Sequence, residues 1–316
     1  MRIYQLTPAD LVRRLRNPGI TVRTGPFVVR LQTALRPVAE TIRLLWPDYS
    51  IVDDDAFTDF HIGLATPRNL RRWLRPQVRV FLDGRSPFLP LPLDQAFPMF
   101  EWALNWSIAT HAHQFLIIHA AAVERDGYAA ILPGAPGSGK STLCAALVNR
   151  GWRLLTDEMT LVSPATYMIV PLVRPVSLKN ESIEVIQKFA PQTVFGPEVR
   201  DTLKGTVAHM RAPSDAVLRA DEPAAPGWVV FPKYRAGHST EVQPLSKAQT
   251  FMWFAGHSYN YTLQGLKGFE VLSGLIDVTH CYAMNYNNLD EAIAWFDNLK
   301  TPEIEATAQR VHASRA

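Results

Sequence analysis

Residues 134–141, GAPGSGKS, constrain this chain more than any other stretch. They fit G-x-x-x-x-G-K-[ST], a loop that cradles phosphates when it joins a strand to a helix. Gly134, Gly137 and Gly139 lack Cβ atoms, so the backbone can turn sharply and direct its N–H groups at an anion. Lys140 supplies a mobile positive charge for the outer phosphates. Ser141 opens a helix, where its hydroxyl can reach Mg²⁺ and the dipole favours negative charge. Ser138 and Thr142 complete the set of loop residues expected against the ligand. Residues 128–132 read as the preceding strand and residues 141–149 as the following helix. The expectation is an α/β protein built around a P-loop.

The next segment returns to that loop. A helix over residues 140–149 carries the chain about 15 Å away. Gly151 ends it, and a strand over residues 152–156 runs back for about 16 Å. The two distances nearly cancel, so Asp157 and Glu158 are expected beside the loop. Two carboxylates there offer one metal contact and one base, which suits phosphoryl transfer to a hydroxyl.

The segment before the loop reads as a hairpin. In HAAAVERDGYAAILPG, Asp126-Gly127 is a favoured two-residue turn. With Arg125 facing Tyr128, counting outward puts His119 opposite Gly134. A histidine there can contact a transferring phosphoryl group or tune the acid. His111-Ala-His113 has the look of a metal pair, but no third ligand accompanies it.

Hydrophobic residues make up 47% and charged residues 19% of the chain, and the formal charge is +3. That charge is too small to imply a nucleic-acid or membrane partner. Cys144 and Cys281 are the only cysteines and show no C-x-x-C spacing, which speaks against a disulfide framework or a structural zinc site. The polar-interrupted amino terminus lacks a signal-peptide core, so a cytoplasmic location is expected. Residues 1–98 read as a smaller α+β region, with strands at 60–65 and 77–82. Between those strands, RNLRRWLRP carries Arg68, Arg71, Arg72 and Arg75, a solvated helix face or a docking patch for an acidic partner. A proline-rich connector leads to a helix at 100–110 and a core over 99–300. Residues 301–316 read as a loose tail.

The run HAAAVERDGYAAILPGAPGSGKSTLCAALVNRGWRLLTDEMTLV resembles the catalytic core of HPr kinase/phosphorylase. That family has a histidine-headed hairpin, a Walker A loop and a paired-acid strand at similar spacing. It shares its mixed-sheet P-loop fold with the ATP- and GTP-dependent phosphoenolpyruvate carboxykinases. The chain is most similar to the HprK-related kinase A group, through RPVSLKNESIEVI (174–186), FPKYRAG (231–237) and HSYNY (257–261). The resemblance implies that Asp157 acts as base toward an acceptor serine and that Ser141 and Glu158 hold Mg²⁺. It also implies that Lys140 neutralises the ATP phosphates and that His119 lies near the transferred group. Arg174, Lys179 and Arg235 become candidate charges for the transition state or for closure over the nucleotide. The glycine-rich signature that follows the acidic strand in HPr kinases is absent, so neither HPr as substrate nor phosphorolysis is expected.

These readings converge on an ATP-dependent, Mg²⁺-assisted kinase acting on a serine-type hydroxyl of a small protein or peptide. Two alternatives stay open: a kinase for a free amino acid or sugar, and a non-catalytic ATP-sensing module. The resemblance leaves a homo-oligomer open as well.

Overall fold

The computed structural model describes residues 1–53, 55–67, 74–300 and 302. Arg68, Arg71 and Arg72 of the basic stretch and the tail 301–316, apart from Pro302, lie outside the described residues. Contacts divide the chain into two compact units, each made of two sequence segments. One holds residues 1–112 and 173–219, the other residues 113–172 and those from Ala220 onward. The boundary expected after residue 98 falls inside a helix.

The first segment opens with α1 (Pro8–Arg16). The Thr7 hydroxyl accepts the Asp10 N–H at 3.1 Å and Pro8 occupies the first turn, where its fixed φ and missing N–H cost nothing. Strands β1 (Ile20–Thr24) and β2 (Phe27–Thr33) form a hairpin, and α2 (Arg36–Leu45) crosses over to β3 (Phe60–Ala65), which lies parallel to β2. β4 (Gln77–Leu82) and β5 (Leu91–Pro92) complete a sheet ordered β1-β2-β3-β4-β5. The alternating burial of β3 and β4 reflects the period of two expected of a half-covered sheet. Covering them is α3 (Ala96–His111), which begins four residues earlier than its apolar spacing suggested.

The second segment supplies β6 (Leu116–Ile118), β7 (Ala120–Arg125), β8 (Tyr128–Pro133), α4 (Lys140–Val148), β9 (Arg153–Thr156), β10 (Thr160–Val162) and β11 (Ile169–Val170). The chain then rejoins the first unit through β12 (Val176–Lys179), α5 (Glu181–Phe189), β13 (Val199–Thr202), β14 (Gly205–Met210) and α6 (Ser214–Leu218). There the Tyr49 hydroxyl donates to the Val173 carbonyl at 3.1 Å, and Arg174 pairs with buried Glu101 at 3.2 Å.

The last segment returns to the second unit with β15 (Ala225–Tyr234), β16 (Glu241–Pro244), α7 (Lys247–Ala255), α8 (Tyr261–Gln264), α9 (Leu266–Asp277), β17 (His280–Tyr286) and α10 (Leu289–Asp297). The resulting six-stranded sheet is ordered β16-β17-β15-β8-β7-β9. β15 runs parallel to both β8 and β17, while the remaining pairs are antiparallel. The alanines at 120–122 are fully buried, and such small side chains let α4 pack closely on β7. The protein is thus mixed α/β, as expected. Among the described residues no helix is long and apolar enough to cross a membrane.

Candidate active site

β8 ends at Pro133 and α4 starts at Lys140, so the glycine-rich residues form the loop between them. Gly137 and Gly139 have φ of 84° and 86°, the left-handed region that a side chain disfavours. Gly139 is required for a second reason: a Cβ there would lie 2.2 Å from the Tyr286 hydroxyl. At Gly134 a Cβ would come within 2.5 Å of Ser138 Oγ. That Oγ is buried and finds no hydrogen-bond partner among the described residues. Leaving a buried hydroxyl unsatisfied costs about 1–3 kcal/mol. A ligand oxygen in the loop would remove that cost, so the residues present fit a phosphate.

The loop is held on its carbonyl side. The Tyr234 N–H donates to the Ser138 carbonyl at 2.9 Å. The Tyr286 hydroxyl donates to the Gly139 carbonyl at 2.8 Å, and the Leu143 N–H donates to the same oxygen at 2.9 Å. Tyr234 and Tyr286 are the last residues of β15 and β17 and face each other in parallel register. Their rings meet edge to face at 5.8 Å. Burial, reinforced by Tyr234, pushes the Tyr286 phenol well above its ordinary pKa, so it stays a proton donor. Tyr234 lies within FPKYRAG, which did not single it out, and no local motif announces Tyr286; the strand pairing reveals both.

The acidic turn follows β9. Thr156 Oγ1 accepts the Met159 N–H at 3.3 Å, closing a turn around Asp157 and Glu158. Lys140 Nζ donates to the Asp157 backbone carbonyl at 3.0 Å, so the chain does return to the loop as the distances required. Lys140 and Asp157 are 7% and 6% exposed, unusual for charged side chains. Both act on the thiol of Cys144, one turn into α4. Burial raises its pKa, the Asp157 charge raises it further, and Lys140 partly opposes them.

His119 lies between β6 and β7. The hairpin keeps the expected register from Arg125↔Tyr128 to Ala120↔Pro133. Beyond it, the His119 N–H leaves the ladder and donates to the His257 carbonyl at 2.7 Å. Its Nε2 stands 3.8 Å from Glu158 Oε1, and its ring packs on Tyr259 with centroids 5.6 Å apart. The HSYNY stretch straps this corner to β6. The Ser258 hydroxyl donates to the Ile117 carbonyl at 3.0 Å, and Asn260 accepts the Ile117 N–H at 2.9 Å. Tyr259 and Asn260 thus join the site as residues that motif reading did not single out individually.

Of the remaining cations, exposed Arg235 follows β15 and its N–H donates to the Tyr286 carbonyl at 2.9 Å, which ties it to the residue behind the loop. Arg174 belongs to the other unit, buried with Glu101 and bonded to Asn105, and Lys179 sits in β12 of that unit. Ser141 and Thr142 are partly exposed on the first turn of α4, as is Glu158 on the acidic turn. His111 lies 3.0 Å from the Ser107 carbonyl within α3. Among the described residues no group of three or more His, Cys, Asp and Glu side chains could hold a metal ion. Any magnesium here would therefore rely on Ser141, a carboxylate, and phosphate or water oxygens.

No protein-family model matches the chain, and no curated protein matches it either.

Proposed function

We propose that the chain is an ATP-dependent, magnesium-assisted kinase related to the HPr kinases, transferring the γ-phosphoryl group to a serine-type hydroxyl of a small protein or peptide. The observation that carries this reading is the 3.0 Å hydrogen bond from Lys140 to the Asp157 carbonyl, which joins the phosphate loop to the acidic turn. Nucleotide binding by itself does not require a base, and Asp157 is buried on that turn.

In this reading the amides at the start of α4, the Ser138 hydroxyl and Lys140 hold the β- and γ-phosphates. Asp157 takes the proton of the acceptor hydroxyl, and the oxygen so released bonds to the γ-phosphorus as the bridge to ADP breaks. His119, which stands 3.8 Å from Glu158, would donate a hydrogen bond to the transferring group. Magnesium, held through Ser141 and Glu158, would supply charge neutralisation when bound. Positioning and charge compensation are the main contributions, as in phosphoryl transfer generally. The two free, buried cysteines support a reducing, cytoplasmic setting.

The test is incubation with γ-labelled ATP and a lysate of the source cell, followed by mass spectrometry of whatever gains label. Lys140→Ala should abolish labelling. Asp157→Asn should retain nucleotide binding and lose transfer by about 10²- to 10⁴-fold. Transfer at the wild-type rate by Asp157→Asn would remove the assigned base.

A further inference from the structure

We propose that Tyr286, together with the backbone of Tyr234, is a positioning element that presets the amides of the phosphate loop. The proposal rests on the nucleotide-binding reading above and adds how the loop acquires its geometry.

A trans peptide unit points its C=O and its N–H in opposite directions. The Ser138 carbonyl shares a plane with the Gly139 N–H, and the Gly139 carbonyl shares one with the Lys140 N–H. Each of these two carbonyls is gripped from the sheet: Ser138 O by the Tyr234 amide at 2.9 Å, Gly139 O by the Tyr286 hydroxyl at 2.8 Å. Holding the oxygens toward β15 and β17 turns the two N–H groups the other way, into the loop. These are the donors an oxyanion meets at a helix start.

The grip has little slack. Gly139 O receives both the helical Leu143 N–H and the phenol, so both of its lone pairs are engaged. Tyr286 is buried, and its own carbonyl accepts the backbone N–H of exposed Arg235, so one residue anchors both the loop and the start of the segment after β15. The space between phenol and loop admits no side chain at position 139. Adjacent parallel strands end together here, which gives both donors one rigid base.

Tyr286→Phe removes the donor and keeps the ring. A fluorescent ATP analogue, inorganic triphosphate and adenosine serve as probes, with thermal unfolding of the ligand-free protein as the folding control. The expected result is binding of the ATP analogue and of triphosphate weakened about three- to tenfold, an unchanged response to adenosine, and a transition that stays cooperative. A merely structural role would lower the transition without separating phosphate from base. Stopped-flow mixing of the wild-type protein with the ATP analogue gives a second readout that no folding defect can obscure. A preset loop binds in one phase with a rate linear in concentration, whereas a saturating rate reports rearrangement after encounter and overturns the proposal. Equal affinities of Tyr286→Phe and wild type also overturn it while leaving the nucleotide reading intact. If the wild type binds neither the analogue nor triphosphate, the nucleotide reading falls and takes the proposal with it.

Discussion

Cys144 has no exposed surface, and its thiol is held neutral chiefly by burial, with the Asp157 charge acting in the same direction. A group whose folded pKa is raised keeps its full contribution to stability below its unfolded pKa. It loses that contribution as pH rises from there toward the folded value, because only the unfolded chain then releases the proton. Stability should therefore hold steady through neutral pH and start to fall above about pH 8.5, where free thiols ionise. Tyr49 and Tyr286, both raised by burial, extend the decline from about pH 10. Urea unfolding from pH 7 to 11 tests this. Cys144→Ala should delay the onset of the decline to the tyrosine range, and an unchanged onset would show that the thiol is not its source. At this scale the loop glycines, Lys140 and the acidic pair are legible from their spelling. Tyr286 is not, because its role depends on a phenol meeting a carbonyl 147 positions earlier in the chain.

The hairpin β7–β8 and the edge strand β9 show which elements local rules can specify. Asp126 and Gly127 both adopt positive φ, as a two-residue hairpin turn demands, and the Arg125↔Tyr128 register follows from them. Less visible is what secures the hairpin to β9. Glu124 accepts the Gly127 N–H at 2.6 Å and pairs with Arg153, and both partners of that ion pair are about 5% exposed. Arg153 also donates to the Glu222 carbonyl at 3.1 Å. Arg153→Ala leaves a buried carboxylate without its cation, an outcome that typically costs about 3–5 kcal/mol. Chemical denaturation should show a loss of that size, and a loss under 1 kcal/mol would mean that water replaces the guanidinium. Neither residue stands out in the sequence, since a glutamate and an arginine 29 positions apart carry no pairing signal.

Across the molecule, linear reading separates an amino-terminal region from a core, whereas contacts join residues 173–219 to the first 112. RPVSLKNESIEVI therefore belongs to the first unit, where Arg174 neutralises Glu101 and the Val173 carbonyl receives the hydroxyls of Tyr49 and Thr24. Strands β12, β14 and β13 form a sheet of their own, and hydrophobic periodicity identifies such strands but not the distant segment they pack against, which is why this membership was not legible. A fragment of residues 1–112 alone should lack a cooperative thermal transition and give poorly dispersed amide resonances. Restoring residues 173–219 through a flexible linker should recover both. A sharp transition in the short fragment would show that the first unit needs no second segment.

The same arrangement bears on how the protein is born. On the ribosome, residues 113–172 emerge before the strands that finish the first unit, so early folding cannot proceed one domain after another. Until Arg174 leaves the exit tunnel, Glu101 has no guanidinium to meet, and the nascent amino-terminal half must wait, exposed, for a partner still being translated.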